Sequence, residues 1–156
     1  MVKQILVVLA VAALAGCSPP SGQSADSADP TMAQSADGPP AGGEDAIRAW
    51  VQQDTGGNMI GDAEIFYGDF SGDGAADALA YYLTPLGGSG FNVSWVLFRN
   101  EGGAMTFVRR EEAVYGTEPR DVVFADGSIT LTTTMPREGD PHCCPTGSQS
   151  WTIATN

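Results

Sequence analysis

Basic and imidazole side chains are scarce in this sequence. Seven lysine and arginine residues face nineteen aspartate and glutamate residues, which gives a net charge of −12. Lys3 is the only lysine and His142 the only histidine. A surface this acidic repels phosphate backbones, so we do not expect nucleic-acid binding. A Ser-His-Asp triad or a lysine-dependent active site is implausible with so few bases, and we expect the protein not to be an enzyme.

The sequence also lacks a long apolar run. Its longest one, residues 5–15, follows the positive charge of Lys3 and falls well below the roughly 20 residues that cross a bilayer as a helix. Small residues come next, just before Cys17. This pattern is typical of a signal peptide, which we assign to residues 1–16. An ordinary secretory signal with a chance cysteine is the alternative.

The junction Leu14-Ala15-Gly16-Cys17 resembles the lipobox of bacterial lipoproteins. The resemblance implies that the Cys17 thiol is lipidated and that the chain is cut before it. With three acyl chains, at about 0.8 kcal/mol per buried methylene, attachment to the membrane would be effectively permanent. Ser18 stands where an aspartate would retain a lipoprotein in the inner membrane. The resemblance therefore implies a lipid-anchored protein of the outer membrane that faces the periplasm of the bacterial cell envelope.

The segment after Cys17 is poor in large apolar side chains. Residues 18–43 are mostly Ser, Pro, Gly, Ala, Asp and Gln, with Met32 the one large apolar exception. Such a segment cannot bury enough surface to offset its ordering entropy. We predict that residues 17–43 form a lipidated, disordered tether with an average span of roughly 25–30 Å. Residues 44–156 are then long enough for a single domain.

Short apolar runs separated by turn residues dominate the predicted domain. Residues 44–53 have acidic side chains in the first turn and apolar ones at Ile47, Trp50 and Val51, which predicts an amphipathic helix ending near Gly56. Seven runs after it favour strands: 63–70, 77–83, 91–99, 105–109, 122–125, 129–134 and 151–154. We predict an α+β fold, mostly an antiparallel meander sheet of about six to seven strands, with this N-terminal helix covering one face.

Two of the predicted strands differ in their patterns. In the third, Phe91, Val93, Trp95 and Leu97 alternate with Val96 and Phe98, which predicts a central strand with apolar side chains on both faces. In the sixth, Thr130, Thr132 and Thr134 alternate with Ile129 and Leu131, so we expect one face of this strand to be exposed to solvent.

Residues 67–77, YGDFSGDGAAD, carry the most distinctive polar pattern. Counted from Asp69, oxygen donors recur at positions 1, 3, 5, 7 and 9: Asp69, Ser71, Asp73, the Ala75 carbonyl and Asp77. Calcium takes six to eight oxygens, and the glycine at position 6 permits a sharp turn. We predict a structural Ca²⁺ site with a dissociation constant of about 10⁻⁴–10⁻³ M. The alternative is a solvated hairpin without metal.

The element DFSGDGAAD resembles the calcium loops of FG-GAP/VCBS-type repeats and of dockerin, with serine in place of the usual Asp or Asn at position 3. It departs from the EF-hand because position 12 is Ala80, which has no carboxylate. The motif occurs once, whereas a propeller needs several copies, so a propeller is not expected.

Cys143 and Cys144 are adjacent and, once Cys17 is acylated, have no other partner. In an oxidising compartment free thiols seldom persist, so we predict a vicinal disulfide acting as a staple. Paired buried thiols are one alternative. A redox or soft-metal role with His142 is the other, although three consecutive residues can hardly all face one ion.

The lipobox, the element GDFSGDGAADA and the element DPHCCPTG together resemble the LppP/LprE-type bacterial lipoproteins over most of residues 62–156. The resemblance implies an envelope location and a small β-rich domain, and it supplies no activity. The acidic charge favours a basic partner protein. We expect a monomeric binding or accessory module with the structural Ca²⁺ loop, or alternatively an inhibitor or binder of a cationic envelope protein such as lysozyme without metal.

Overall fold

The structure is a computed structural model that describes residues 38–141 and 143–156, and within this range the first element is a helix. Helix α1 spans Gly43–Thr55, with Glu44 and Asp45 in its first turn. Gly56 ends it in the left-handed conformation at φ 60°, and its N–H bonds back to the carbonyls of Gln52 and Gln53. The predicted helix is thus confirmed. The predicted signal peptide, Cys17 and the tether up to residue 37 lie outside the described residues.

The seven predicted strands are confirmed, and several are longer than predicted. Their bounds are β1 Ile60–Gly68, β2 Asp77–Gly87, β3 Gly90–Glu101, β4 Ala104–Glu111, β5 Thr117–Ala125, β6 Ser128–Met135 and β7 Gly147–Ala154. The added residues of β5 and β7 are polar or small, so they carry no hydrophobic alternation of their own. Pairing with β6 makes them strands.

The strands form two antiparallel sheets, where the sequence predicted one. Sheet A has the order β1-β2-β3-β4 and sheet B the order β5-β6-β7, each a meander. The predicted single sheet is therefore wrong, while the antiparallel meander order holds within each sheet. The break falls after β4, where Val114 is buried in the connection and Gly116 turns the chain at φ 93°. A turn with positive φ interrupts pairing, and the chain crosses to the second layer.

Helix α1, sheet A and sheet B make three layers around two cores. Alternation along β2 and β3 divides the cores. Tyr82, Val96 and Phe98 face the helix residues Ile47 and Val51 in one core. The other core, between the sheets, takes the intervening side chains of both strands and the inward side chains of sheet B: Leu79, Tyr81, Trp95, Leu97, Phe124, Ile129, Leu131 and Ile153.

The predictions for β3 and β6 are confirmed in their main features. β3 lies between β2 and β4 and has buried side chains on both faces at 95–98. Phe91 departs from the pattern, because it is 44 % exposed at the start of the strand. In β6, Ile129 and Leu131 are buried and Thr130 is exposed, as a strand with one wet face requires.

The sheets close on each other at one end. The carbonyl of Phe70 accepts hydrogen bonds from the Gly127 N–H at 2.9 Å and from the Thr155 hydroxyl at 3.2 Å. Gly68 lies against Phe124 so closely that a Cβ there would overlap the ring. At the other end a cleft opens between the sheets. In the described part of the chain no helix is long and apolar enough to cross a membrane.

Candidate ligand-binding cleft and acidic loop

The acidic loop lies at the closed end of the two sheets, between β1 and β2. Its last residue, Asp77, is fully buried. One carboxylate oxygen of Asp77 accepts the N–H groups of Phe70 at 3.1 Å and Ser71 at 2.9 Å, and the other accepts the N–H of Asn100 at 2.9 Å. Asp77 therefore ties the loop to the end of β3 through three backbone donors.

The other two aspartates of the loop also bond to its backbone. Asp69 accepts the N–H groups of Gly72 at 2.6 Å and Gly74 at 2.8 Å, and the Ser71 hydroxyl at 3.3 Å. Asp73 accepts the N–H of Ala75 at 2.8 Å. Short polar side chains that bond to nearby backbone groups are typical of turns. The loop is thus held by its own hydrogen bonds.

The structure brings Asp69 and Ser71 together but does not gather the three carboxylates around one centre. Among the residues it describes, no three His, Cys, Asp or Glu side chains are placed to share a metal ion. In this arrangement the predicted ligands do not form a coordination shell around one point: Asp69, Ser71, Asp73, Ala75 and Asp77. Calcium binding stays a prediction from the sequence.

The cleft at the open end has a volume of about 810 Å³. Three acidic side chains, Asp62, Glu64 and Glu118, line it. Apolar and aromatic side chains make up most of the remaining wall: Ile60, Tyr81, Leu83, Phe91, Val93, Met135, Pro136 and Pro145. An apolar cleft with a few polar groups is the usual form of a ligand site.

The alternation of side chains along β1 explains why the Glu64 carboxylate faces this cleft. In β1, Phe66 points into the core between the sheets, and Ala63 and Ile65 point to the helix side. Glu64 shares the side of Phe66, because residues two apart in a strand face the same way. It is exposed, since the cleft leaves this part of the sheet uncovered.

Glu118 enters the cleft from a distorted part of β5. Its φ is 53°, in the left-handed region that non-glycine residues seldom adopt, and the pairing of β5 with β6 shifts register on either side of Arg120. Such bulges re-aim side chains. The Glu118 carboxylate accepts the Thr134 hydroxyl at 2.8 Å.

Tyr81 closes the floor of the cleft against Trp95, with the ring centroids 4.7 Å apart. Burial, and next the negative charge of Glu64, raise the pKa of Tyr81 to about 12, while a hydrogen bond with the Glu118 backbone acts in the opposite direction. The phenol therefore stays protonated and neutral at physiological pH.

The Cys143–Cys144 pair lies on the cleft wall, in the loop between β6 and β7. The two sulfurs contact each other as the predicted vicinal disulfide requires, and both residues are exposed, unlike the alternative of buried thiols. Asp140 fixes the loop by accepting the N–H groups of Arg137 at 2.8 Å and Thr146 at 2.7 Å. The hydrogen bonds from Thr146 and Arg137 lower the pKa of Asp140. His142 lies outside the described residues.

Sequence reasoning missed the cleft residues Asp62, Glu64 and Glu118. None belongs to a motif, and they come from two strands in different sheets. The one available signal was Glu64, an acidic residue at an otherwise inward position of a strand. Four aromatic side chains of the strands lie in the two cores: Tyr81, Tyr82 and Trp95 are buried, and Trp151 is partly buried.

We expect Asp77→Asn to lower the free energy of unfolding by about 2–3 kcal/mol, because an amide nitrogen would then face backbone N–H donors in a buried site. Asp73→Asn is the matched control, since Asp73 is exposed and accepts one backbone N–H. It should cost less than about 0.5 kcal/mol. Urea unfolding of both variants measures the difference, and equal losses would contradict the structural role of Asp77.

The calcium prediction is tested by thermal unfolding and calorimetric titration of the full chain. If the dissociation constant is about 1 mM, then 10 mM calcium should add about 1.4 kcal/mol of stability. The double variant Asp69→Asn/Asp73→Asn should lose that gain. No heat and no shift in the unfolding temperature at 10 mM calcium would contradict the prediction.

Stability should fall as the pH rises from 10 to 12, because the Tyr81 proton is held more tightly in the folded state than in the unfolded chain. Its contribution is complete below pH 10 and lost near pH 12. Urea unfolding at pH 8, 10 and 11 should show a shallower decline for Tyr81→Phe. Tyr115→Phe, which alters an exposed phenol, is the control and should decline like the wild type.

No protein-family model matches this chain, and the comparisons with curated proteins and with solved structures found no match either. A functional conclusion therefore rests on the chemistry of the cleft.

Proposed function

We propose that this domain is a binding module, anchored to the bacterial outer membrane through lipid on Cys17, whose cleft takes a cationic group of a basic envelope protein. The observation that carries the proposal is a cleft of about 810 Å³ with three carboxylates set in an apolar and aromatic wall. That combination suits a positive charge on an apolar stem.

Two of the cleft carboxylates are available to a ligand. In the part of the chain that the structure describes, neither Asp62 nor Glu64 forms an ion pair or a side-chain hydrogen bond. Glu118 is engaged by Thr134, and the nearby Arg120 contacts the Glu118 carbonyl at 3.2 Å. An incoming ammonium or guanidinium group would therefore meet negative charge that the protein leaves uncompensated.

The rest of the wall suits the stem of such a group. Leu83 and Val93 offer apolar contact to the methylenes of a lysine or arginine side chain, which are readily buried along apolar surface. Phe91 adds an exposed aromatic ring, and aromatic rings attract cations over their faces. Arginine combines both properties with bidentate bonding to carboxylates.

The residues that line the cleft favour ligand binding over catalysis. Tyr81 keeps its proton at neutral pH, and with the predicted disulfide formed neither Cys143 nor Cys144 has a free thiol, so none of the three supplies an activated nucleophile or base. The acidic loop lies at the opposite end of the sheets. A calcium ion there would act on stability and not on the ligand.

Electrostatic recognition of this type should weaken with salt, since screening acts on both the partner and the cleft. The experiment measures binding of lysozyme, as the cationic probe, to the detergent-solubilised full chain at 50 and 300 mM NaCl. We expect binding that weakens with salt. Asp62→Asn/Glu64→Gln should lower the affinity about tenfold or more.

The matched control is Asp45→Asn/Glu101→Gln, which changes the net charge equally at exposed positions of α1 and β3 outside the cleft. We expect it to change the affinity by less than about twofold. Absence of binding, or equal losses in both double variants, would contradict recognition by the cleft.

A further inference from the structure

A second, smaller cavity adjoins the cleft. It has a volume of about 390 Å³ and shares Phe91 and Val93 with the first. Trp95, Glu112 and Tyr115 also line it. Phe91 therefore stands as a ridge with a cavity on either side.

Large apolar side chains are exposed along this surface. Ile60, Phe91 and Tyr115 are 44, 44 and 58 % exposed, and each lines one or both cavities. Leu86 is 67 % exposed and lies in the β2–β3 hairpin, in which Pro85 pairs with Phe91. Exposed apolar side chains grouped in this way, beside polar residues, are typical of surfaces that bind other proteins.

The second cavity also offers a carboxylate. Its Glu111 is already bound to Arg109 at 2.6 Å, and its Arg110 is held by Asp54 and Tyr82. Glu112 is exposed and, among the residues the structure describes, forms no ion pair. Each cavity thus has an acidic side chain open to a basic one, with the aromatic ridge between them.

We infer that the two cavities form one docking surface for an extended basic segment of the partner protein, which crosses Phe91 and places a cationic side chain on each side. This rests on the proposed function. β3 underlies the surface from Phe91 to Trp95, a length of about 13 Å at 3.3 Å per residue. A segment that crosses it needs about five extended residues.

Trp95 lines the second cavity but is 1 % exposed, so a docked segment meets the exposed rings of Phe91 and Tyr115 and not the Trp95 indole. Filling both cavities at once takes two cationic side chains on one segment, which a single free cation does not offer.

The experiment compares two probes on the full chain: an octapeptide of alternating arginine and valine, and arginine amide. Tyr115→Ala removes a side chain that lines the second cavity alone. We expect it to weaken the octapeptide about tenfold and to change arginine amide by less than twofold. Val123→Ala, at an exposed apolar position outside both cavities, is the control and should change neither.

Glu112→Gln gives a second reading that does not depend on the aromatic side chain, and it should weaken the octapeptide about threefold or more. If the octapeptide binds the Tyr115→Ala and Glu112→Gln variants as tightly as the wild type, the two-cavity surface is wrong. If octapeptide binding is in that case still weakened by Asp62→Asn/Glu64→Gln, the proposed function stands. If the wild type binds neither probe nor lysozyme, both proposals fail.

Discussion

Burial of both faces of β2 and β3 is the constraint on which the rest of the structure depends. Their side chains alternate between two apolar sets, so one layer must cover each face. Helix α1 covers the face on which Ala63, Ala78 and Ala80 leave room for it. Sheet B covers the other. A single sheet with one helix would have exposed Leu79, Trp95 and Leu97 to water.

The cleft follows from how far sheet B reaches. Near Phe70 the two sheets are joined by hydrogen bonds and by the close approach of Gly68 to Phe124. Toward Leu83 and Val93 the inward face of sheet A is covered incompletely, and the loop that carries Cys143 and Cys144 forms part of the wall. The same face is therefore a core at one end and a lined cavity at the other.

Aspartate and glutamate have different surroundings at the two ends. In the acidic loop the carboxylates accept backbone N–H groups, and Asp77 stabilises a turn that would otherwise leave buried donors unpaired. In the cleft, Asp62 and Glu64 face solvent beside apolar side chains. Negative charge serves the fold in the first case and is open to a partner in the second, which is why the cleft carries the functional proposal.

The sequence by itself determined the local structure: the helix, the seven strands, their antiparallel order and the doubly buried β3 follow from periodicity and turn residues. It also predicts a lipid anchor at Cys17, which lies outside the described residues. Tertiary structure alone decided the split into two sheets, the length of β5 and β7, and the cleft. Those features depend on strand pairing and on residues far apart in the chain that come to line one cleft, such as Glu64 and Glu118, and no local pattern encodes such an arrangement.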